Sequence, residues 1–126
     1  MNEKRFYSFS NLEFHEMVAH DGKGAIKTVQ VEGQNRKGAF NFIDLTEIPP
    51  GNSIGCHTHE LDNEEVYVII SGEGRMYSEG VFFMVGAGDV IVNSPGGTHA
   101  LENVGSDILR LVVLEANIIS THEHLI

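Results

Sequence analysis

Residues 51–72 read GNSIGCHTHELDNEEVYVIISG, and this stretch decides how the chain folds. It contains the pair His57 and His59. Side chains alternate between the two faces of a β-strand, so residues two positions apart point the same way and both imidazoles lie on one face. A polar loop follows, and then a strand-like run that begins with Glu64 and Glu65. A carboxylate at the start of this returning strand can face the two histidines.

A third histidine, His99, follows a second glycine-rich turn and begins another strand-like run. Three imidazoles and one carboxylate form a mixed nitrogen and oxygen set that suits Fe, Mn, Ni, Zn or Co as a divalent ion. Such a set leaves coordination positions open for water or substrate. The sequence therefore predicts one divalent metal ion bound by His57, His59, Glu65 and His99.

Strand signals dominate the chain after residue 25. Short runs rich in Val, Ile and Phe are separated by Gly, Pro, Asn and Ser at nearly regular spacing. This pattern predicts an all-β sandwich or barrel. Residues 11–20 also fit one short N-terminal helix capped by Asn11. The predicted strands are Ala25–Val31, Ala39–Leu45, Glu65–Ile70, Val81–Val85, Asp89–Val92 and Ile108–Leu114.

The spacing of glycine, histidine and glutamate in the opening stretch resembles the first motif of the cupin superfamily. In that motif a Gly stands six residues before an HxH pair, a Glu follows the pair, and a second Gly stands seven residues after the Glu. Gly51, His57, His59, Glu65 and Gly72 fit this pattern. Five residues separate His59 from Glu65, where three or four are usual.

The second glycine-rich stretch, GDVIVNSPGGTHALEN, begins at Gly88 and resembles the second cupin motif. Gly96, His99 and Asn103 also fit its spacing, and Asn103 is usually a turn residue in this family. The proline position of the motif holds Ser94. The match is specific because two independent spacings agree.

The resemblance covers roughly residues 38–116, and the chain is identified as a small single-domain metal-binding cupin. It implies a double-stranded β-helix, or jelly-roll, barrel with the metal inside, held by three histidines and one glutamate. We therefore expect an N-terminal extension over residues 1–24, the barrel over 25–118 and a C-terminal tail over 119–126.

The extra loop residue leaves two candidates for the fourth ligand. Glu64 restores the usual spacing from His59, whereas Glu65 restores the spacing to Gly72 and shares strand parity with Tyr67. A loop absorbs an insertion more easily than a strand, because a slip of one residue in a strand turns every side chain to the other face. We expect Glu65 to be the ligand, with Glu64 as the alternative.

Two further residues are candidates for the chemistry. Tyr67 should point into the barrel, where its phenol could orient a substrate or act as a catalytic acid, or else pack in the core. Arg75 and Arg110 are the only cations in residues 38–126. Directed inward, Arg110 would bind a substrate carboxylate or phosphate, and the alternative is the outward face of its strand.

The other residues that stand out are expected to have no part in the chemistry. Cys56 faces away from the imidazoles and should be a small buried apolar residue, with a reactive thiol as the alternative. His15 and His20 have no partners by spacing and are expected on the surface. His122 and His124 repeat the HxH pattern in a polar tail that is expected to fray.

Composition limits the class of protein. The chain has 126 residues, 41% of them hydrophobic, which suffices for one folded domain. Its net charge is −10, and residues 38–126 carry thirteen acids against two arginines, so we expect no binding to nucleic acid or to an anionic membrane. The single cysteine excludes an internal disulfide, and the sequence has no secretory signal or membrane span, which favours the cytoplasm.

The predicted metal site favours an enzyme that acts on a small molecule. We expect Lewis-acid chemistry of the isomerase, epimerase or lyase type on a hydroxy- or keto-compound such as a sugar or sugar acid. An Fe(II)-dependent dioxygenase and a non-catalytic small-ligand-binding protein are the alternatives. We also expect a homodimer, because a second subunit commonly covers the strand edges of small barrels, and Ala25–Val31 is a candidate for that pairing.

Overall fold

A computed structural model describes residues 5–33 and 36–119 of the chain. These residues form ten β-strands and no α-helix. No helix in this part of the chain is long and apolar enough to cross a membrane. The strands are β1 (His15–Met17), β2 (Ile26–Gln30), β3 (Phe40–Ile48), β4 (Ser53–Thr58), β5 (Asn63–Ser71), β6 (Glu73–Ser78), β7 (Val81–Gly86), β8 (Val90–Asn93), β9 (Thr98–Asn103) and β10 (Leu109–Asn117).

The strands are arranged in two antiparallel sheets. One has six strands in the order β1-β2-β3-β10-β5-β8, and the other has four in the order β4-β9-β6-β7. From β3 to β10 the chain passes repeatedly from one sheet to the other, so β10 lies between β3 and β5, and β9 lies between β4 and β6. This is a jelly-roll barrel, and it confirms the predicted all-β double-stranded β-helix.

Strand alternation decides which side chains enter the core. In β5, Tyr67 and Ile69 point inward and are each 1% exposed, whereas Ile70 points outward and is 45% exposed. In β9, His99 and Leu101 are buried in the same alternating way. The alternation that packs aliphatic side chains together therefore also directs polar side chains of the same strands into the barrel.

The predicted N-terminal helix over residues 11–20 is wrong. The Asn11 side chain accepts a hydrogen bond from the Ser8 backbone N–H at 2.8 Å, and its own N–H donates to the Ser8 carbonyl at 3.2 Å, so it closes a turn instead of capping a helix. The following residues His15–Met17 form β1 and pair with β2. Pairing with a strand satisfies the backbone of a segment that is too short to be stable as an isolated helix.

Strand β6 lies in a glycine-rich segment whose composition indicates turns. Gly74 is inside this strand, and a Cβ added there would lie 2.9 Å from side-chain atoms of Leu101 and Leu109. The glycine therefore allows close packing of the strand on the core, and it does not mark a turn.

Strand β2 is not a free edge. It pairs with β3 on one side, and on the other side β1 pairs with Ile26, Lys27 and Thr28. The expected pairing of Ala25–Val31 with a second subunit is therefore wrong for these residues, because β1 already occupies their free side. Within the described residues the sheets end at β1, β8, β4 and β7. The segment 1–24 contributes β1 to the larger sheet, and His122 and His124 of the C-terminal tail lie outside the described residues.

Candidate metal centre

Four polar side chains from the two sheets converge inside the barrel. His57 of β4 and His99 of β9 are register partners in the smaller sheet, and His59 follows β4 directly. Glu65 comes from β5 of the larger sheet, which faces them. Each residue offers one ligand atom, and these atoms all lie within 4.8 Å of one another.

The close contacts among the four side chains are made by Nε2 of each imidazole and by Oε1 of Glu65. His57 Nε2 lies 3.1 Å from His59 Nε2. Glu65 Oε1 lies 3.2 Å from His59 Nε2 and 3.3 Å from His99 Nε2. Glu65 is 7% exposed and His99 is 1% exposed, so half of the cluster is shielded from solvent.

The structure brings Glu65 to the cluster, and not Glu64. Glu65 shares the inward face of β5 with Tyr67, whereas Glu64 points the other way and is exposed. The extra residue relative to the usual cupin spacing lies before β5, which begins at Asn63. The loop absorbs the insertion, and the strand keeps its register.

The outer nitrogens of two imidazoles are held by hydrogen bonds. His57 Nδ1 donates to the Gly55 carbonyl at 2.8 Å, and His59 Nδ1 lies 3.3 Å from the amide oxygen of Asn63. Both partners accept, so each Nδ1 carries the proton and each Nε2 presents a lone pair. Two lone pairs 3.1 Å apart repel each other, and a cation placed between them removes that repulsion. The residues therefore fit a divalent ion, with the partner at Nδ1 that metal-binding histidines usually have.

The pKa shifts of His57 and Glu65 favour the protonation states that bind a metal ion. Burial lowers the pKa of His57 to about 4, so its imidazole is neutral at neutral pH. Burial by itself would raise the pKa of Glu65, but the hydrogen bond with His99 and the neighbouring imidazoles outweigh it, and the pKa is lowered. Neutral imidazole and ionised carboxylate are the forms that coordinate metals.

Tyr67 lies beside the cluster. It is 1% exposed, and its ring lies nearly perpendicular to that of His99, with 5.4 Å between the ring centroids and 89° between the planes. Burial, followed by the charge of Glu65 and a hydrogen bond with it, raises the pKa of the phenol well above its ordinary value. The phenol therefore stays protonated and can donate a hydrogen bond to the carboxylate.

His20 is a residue of the site that the sequence did not reveal. Its ring stacks on His57 with centroids 3.5 Å apart and an angle of 9° between the planes, although the residue is exposed to solvent as expected. Gly55 makes this possible, because a Cβ there would meet the His20 carbonyl oxygen at 2.0 Å. The contact joins residues 37 positions apart, and no spacing rule within the sequence indicates it.

A cavity of about 140 Å³ adjoins the cluster, and its walls include His57, Glu65 and Tyr67. Asp44 of β3 also lines it, and one oxygen of its carboxylate is buried without a hydrogen-bond partner among the described residues. Burial first, and then the charges of Glu65 and Glu115, raise the pKa of Asp44 to about 7. The sequence did not identify Asp44, because both faces of β3 carry polar and buried residues.

A wider cavity of about 340 Å³ lies on the solvent side of the cluster. It shares His20, Phe42, His57 and Glu65 with the inner cavity, so these side chains separate the two spaces. A small molecule that reaches the metal position would contact both the cluster and the polar groups around it.

The structure does not bring Arg110 to the cluster. Its side chain is 38% exposed, and Nε donates to Glu47 Oε2 at 2.7 Å. Arg75 pairs with Glu102 at 2.9 Å and lies over the ring of Phe82. Neither arginine lines the two cavities.

Two other expectations have clear outcomes. Cys56 does face away from the imidazoles, toward a cavity that it lines with Tyr77 and Phe82, but its expected burial is wrong, because the residue is exposed. Asn103 is 1% exposed, and its amide donates to the carbonyls of Ile48 and Asp107. It holds backbone segments together and does not face the cavities.

Comparisons with known proteins agree with this geometry. The profile of the cupin domain family matches residues 44–115. An oxalate-binding protein of Thermotoga maritima is 37% identical over 96 residues, which cover 74% of this chain and 77% of that protein. The crystal structure of a predicted oxalate decarboxylase from Thermotoga maritima has a TM-score of 0.82 and 25% identity, covering 90% of this chain and 100% of that one. The structure of KdgF from Halomonas sp. has a TM-score of 0.72 and 14% identity, covering 95% and 99% of the two chains, and shows the likeness of the fold alone.

The matched region covers more than half of the chain and includes all four residues of the cluster. The jelly-roll topology and the structural likenesses agree with it. The chain therefore belongs to the cupin superfamily.

Proposed function

We propose that this chain binds one divalent metal ion through His57, His59, Glu65 and His99, and acts on a small hydroxy- or keto-compound such as a sugar or sugar acid. The observation that carries the proposal is the mutual approach of the three Nε2 atoms and the Glu65 carboxylate, with the outer nitrogens of His57 and His59 held by other groups. A metal ion bound there supplies Lewis-acid chemistry, which polarises a carbonyl or hydroxyl oxygen. The donor set suits Fe, Mn, Ni, Zn or Co.

An isomerase or lyase also needs groups that are not metal ligands to hold and move protons. Tyr67, with its protonated phenol against Glu65, orients that carboxylate and is our candidate for a catalytic acid. Asp44 lines the inner cavity, and His20 lies between the two cavities. These three side chains surround the space beside the cluster, which supports an enzyme over a purely structural metal site.

The first test is the metal content of protein purified without chelators. We expect about one divalent ion per chain in the wild type and little in Glu65→Gln. Glu64→Gln is the matched control, because it removes the same charge from the neighbouring exposed residue. Equal metal content in the two variants would exclude Glu65 from the site, and metal-free wild type after reconstitution would overturn the proposal.

The second test separates the reaction types. Turnover of hydroxy- or keto-acids with Mn, Ni or Zn in the absence of oxygen supports the proposal. Oxygen consumption that depends on Fe(II) would instead indicate the dioxygenase alternative. Loss of both binding and turnover in His57→Ala is expected for an enzyme whose substrate binds at the metal.

A non-catalytic binding protein is the second candidate, and one observation favours it. The relative from Thermotoga maritima that is 37% identical is an oxalate-binding protein. Tight binding of oxalate to the metal-loaded protein, without turnover of any hydroxy- or keto-acid, is the result expected for this candidate.

We also propose a homodimer that forms through β7. This strand is an edge of the smaller sheet, and its apolar side chains Val81, Phe82 and Met84 are 59–62% exposed. A chain with a net charge of −10 repels its own copies, but residues 80–88 carry no charge. An uncharged apolar edge is where a second copy can pair with the least repulsion.

Light scattering at micromolar concentration tests this proposal. The wild type should have the mass of two chains, and Phe82→Lys should have the mass of one. Val90→Lys is the control, because Val90 is 60% exposed on β8 of the other sheet. A wild-type monomer would overturn the proposal.

A further inference from the structure

We infer that Asp44 contacts the ligand and selects one with a hydroxyl beside its metal-binding oxygen, against one with two carboxylates. The inference rests on the proposed metal site and names the ligand class that this site accepts. It comes from the hydrogen-bonding capacity and the charge of the inner cavity.

Asp44 lines the inner cavity, and its carboxylate can accept a further hydrogen bond. One of its carboxylate oxygens is buried without a partner among the described residues. The nearby hydroxyls of Thr28 and Thr46 lie 3.1 Å apart, so one donates to the other, and neither is paired with that oxygen. The Tyr67 phenol can donate a hydrogen bond to the Glu65 carboxylate. A buried polar oxygen without a partner costs free energy, and a ligand that pairs with it recovers that cost.

The charge around the cavities opposes a second negative group on the ligand. None of the described residues that line the inner or the outer cavity is a lysine or an arginine. Arg110, the arginine that the sequence offered for binding a substrate carboxylate, is held by Glu47. A carboxylate oxygen bound to the metal ion is balanced by that ion, but the outward oxygen of a second carboxylate would face Asp44, and no lysine or arginine among the described lining residues balances it.

A hydroxyl group of the ligand, in contrast, can pair favourably with Asp44. It can donate a hydrogen bond to an ionised carboxylate and accept one from a protonated carboxyl, so it pairs with Asp44 in either form. The remaining wall is largely apolar, with Ile26, Phe42 and Ile54, and the cavity holds only about 140 Å³. The ligand class that fits is therefore a short hydroxy acid or hydroxy-carbonyl compound with at most one carboxylate.

Glycolate and oxalate are matched probes, because glycolate has a hydroxyl where oxalate has its second carboxylate. Dissociation constants for both would be measured by calorimetry on the Mn-loaded wild type and on Asp44→Asn. Oxalate is the stronger chelator in solution, so the informative quantity is the ratio of the two constants in each protein. We expect Asp44→Asn to shift this ratio toward oxalate by about tenfold, by strengthening oxalate and weakening glycolate binding.

Two controls keep the result specific. Glu64→Gln removes one negative charge at an exposed position and should leave the ratio within twofold of the wild type. Asp44→Thr provides a second variant that suits a β-strand, in case the amide disturbs folding, and it should shift the ratio in the same direction. Thermal unfolding and metal content would be recorded for every variant.

The outcomes separate the two proposals. A wild type that binds no metal overturns the proposed function, and this inference with it. Normal metal content with an unchanged ratio in both Asp44 variants overturns the inference alone, and so does a metal-loaded protein that binds neither probe. Normal metal content with the expected shift supports both.

Discussion

The metal cluster and the inner cavity share a wall, but they are built from different parts of the chain. All four residues of the cluster lie between positions 57 and 99, on β5, on β9 and at the end of β4. The cavity also draws on β1, β2 and β3, through residues such as Met17, Thr28 and Asp44. The cluster depends on short spacings within two motifs, whereas the cavity depends on how distant strands pair. Metal binding and ligand choice should therefore respond to different substitutions.

The largest expected effect is on the cluster side. His59→Ala removes one of the converging ligand atoms, and we expect the affinity for Zn or Mn to fall by at least about 100-fold, since even the loss of an outer partner of a ligand costs 10–100-fold. The metal-free variant should be at least as stable as the metal-free wild type, because a repulsion between lone pairs is removed. Calorimetric metal titration and thermal unfolding with a chelator measure both. A large loss of stability without metal would contradict this account.

The next effect concerns the close contact of Gly55 in β4 with His20, a residue that adjoins both the cluster and the inner cavity. Gly55→Ala places a methyl group against the His20 carbonyl oxygen, and we expect a loss of about 1–3 kcal/mol in the free energy of unfolding. Denaturant unfolding measures it. Gly86→Ala is the control, since its nearest neighbour to an added Cβ is 3.8 Å away and its φ is not positive. Equal stability of the two variants would show that His20 does not pack closely against β4.

The third effect belongs to the cavity and depends on pH. The pKa of Asp44 is raised to about 7 from 3.8, so between these values the folded state binds more protons than the unfolded state. Stability from this group is fully present below about pH 4, is lost as the pH rises to about 7, and changes little above that. Asp44→Asn should thus stabilise the metal-free protein at pH 8 by about 1 kcal/mol, the full shift being discounted for a half-buried group. At pH 4 the gain should vanish.

Denaturant unfolding of metal-free wild type and Asp44→Asn at the two pH values measures this difference. Asp89→Asn is the control, because Asp89 is exposed and its carboxylate accepts from the Gly86 N–H. An Asp44→Asn protein whose relative stability is the same at both pH values would mean that the carboxyl is not desolvated by the cavity.

The smallest effect concerns His20. It stacks on His57 but contributes no ligand atom to the cluster, so His20→Ala should leave the metal affinity within about threefold of the wild type. The lost ring contact should lower stability by about 0.5–1.5 kcal/mol. Metal titration and thermal unfolding of the same preparation separate the two quantities. His15→Ala is the control on the exposed strand β1, and a tenfold loss of metal affinity in His20→Ala alone would make His20 part of the metal site.

Much of the fold could be predicted from the sequence. Runs of β-branched and aromatic residues between glycines indicate strands at β2, β3, β5, β7, β8 and β10. The failures have physical causes. Asn11 bonds to Ser8 in a turn, so the segment that follows joins a sheet, and Gly74 lies inside a strand because it packs against leucines. Composition does not distinguish a glycine needed for packing from a glycine needed for a turn.

The sequence by itself determined the arrangement of the cluster. Alternation along a strand brings His57 and His59 to one face, and the turn before β9 places His99 beside them, since these relations span few residues. The tertiary structure decided that Asp44 and His20 adjoin the cluster, that Glu47 holds Arg110 and that Cys56 is exposed. Those contacts depend on register between strands far apart in the chain. A shift of one residue would reverse each face, and no local pattern fixes that register.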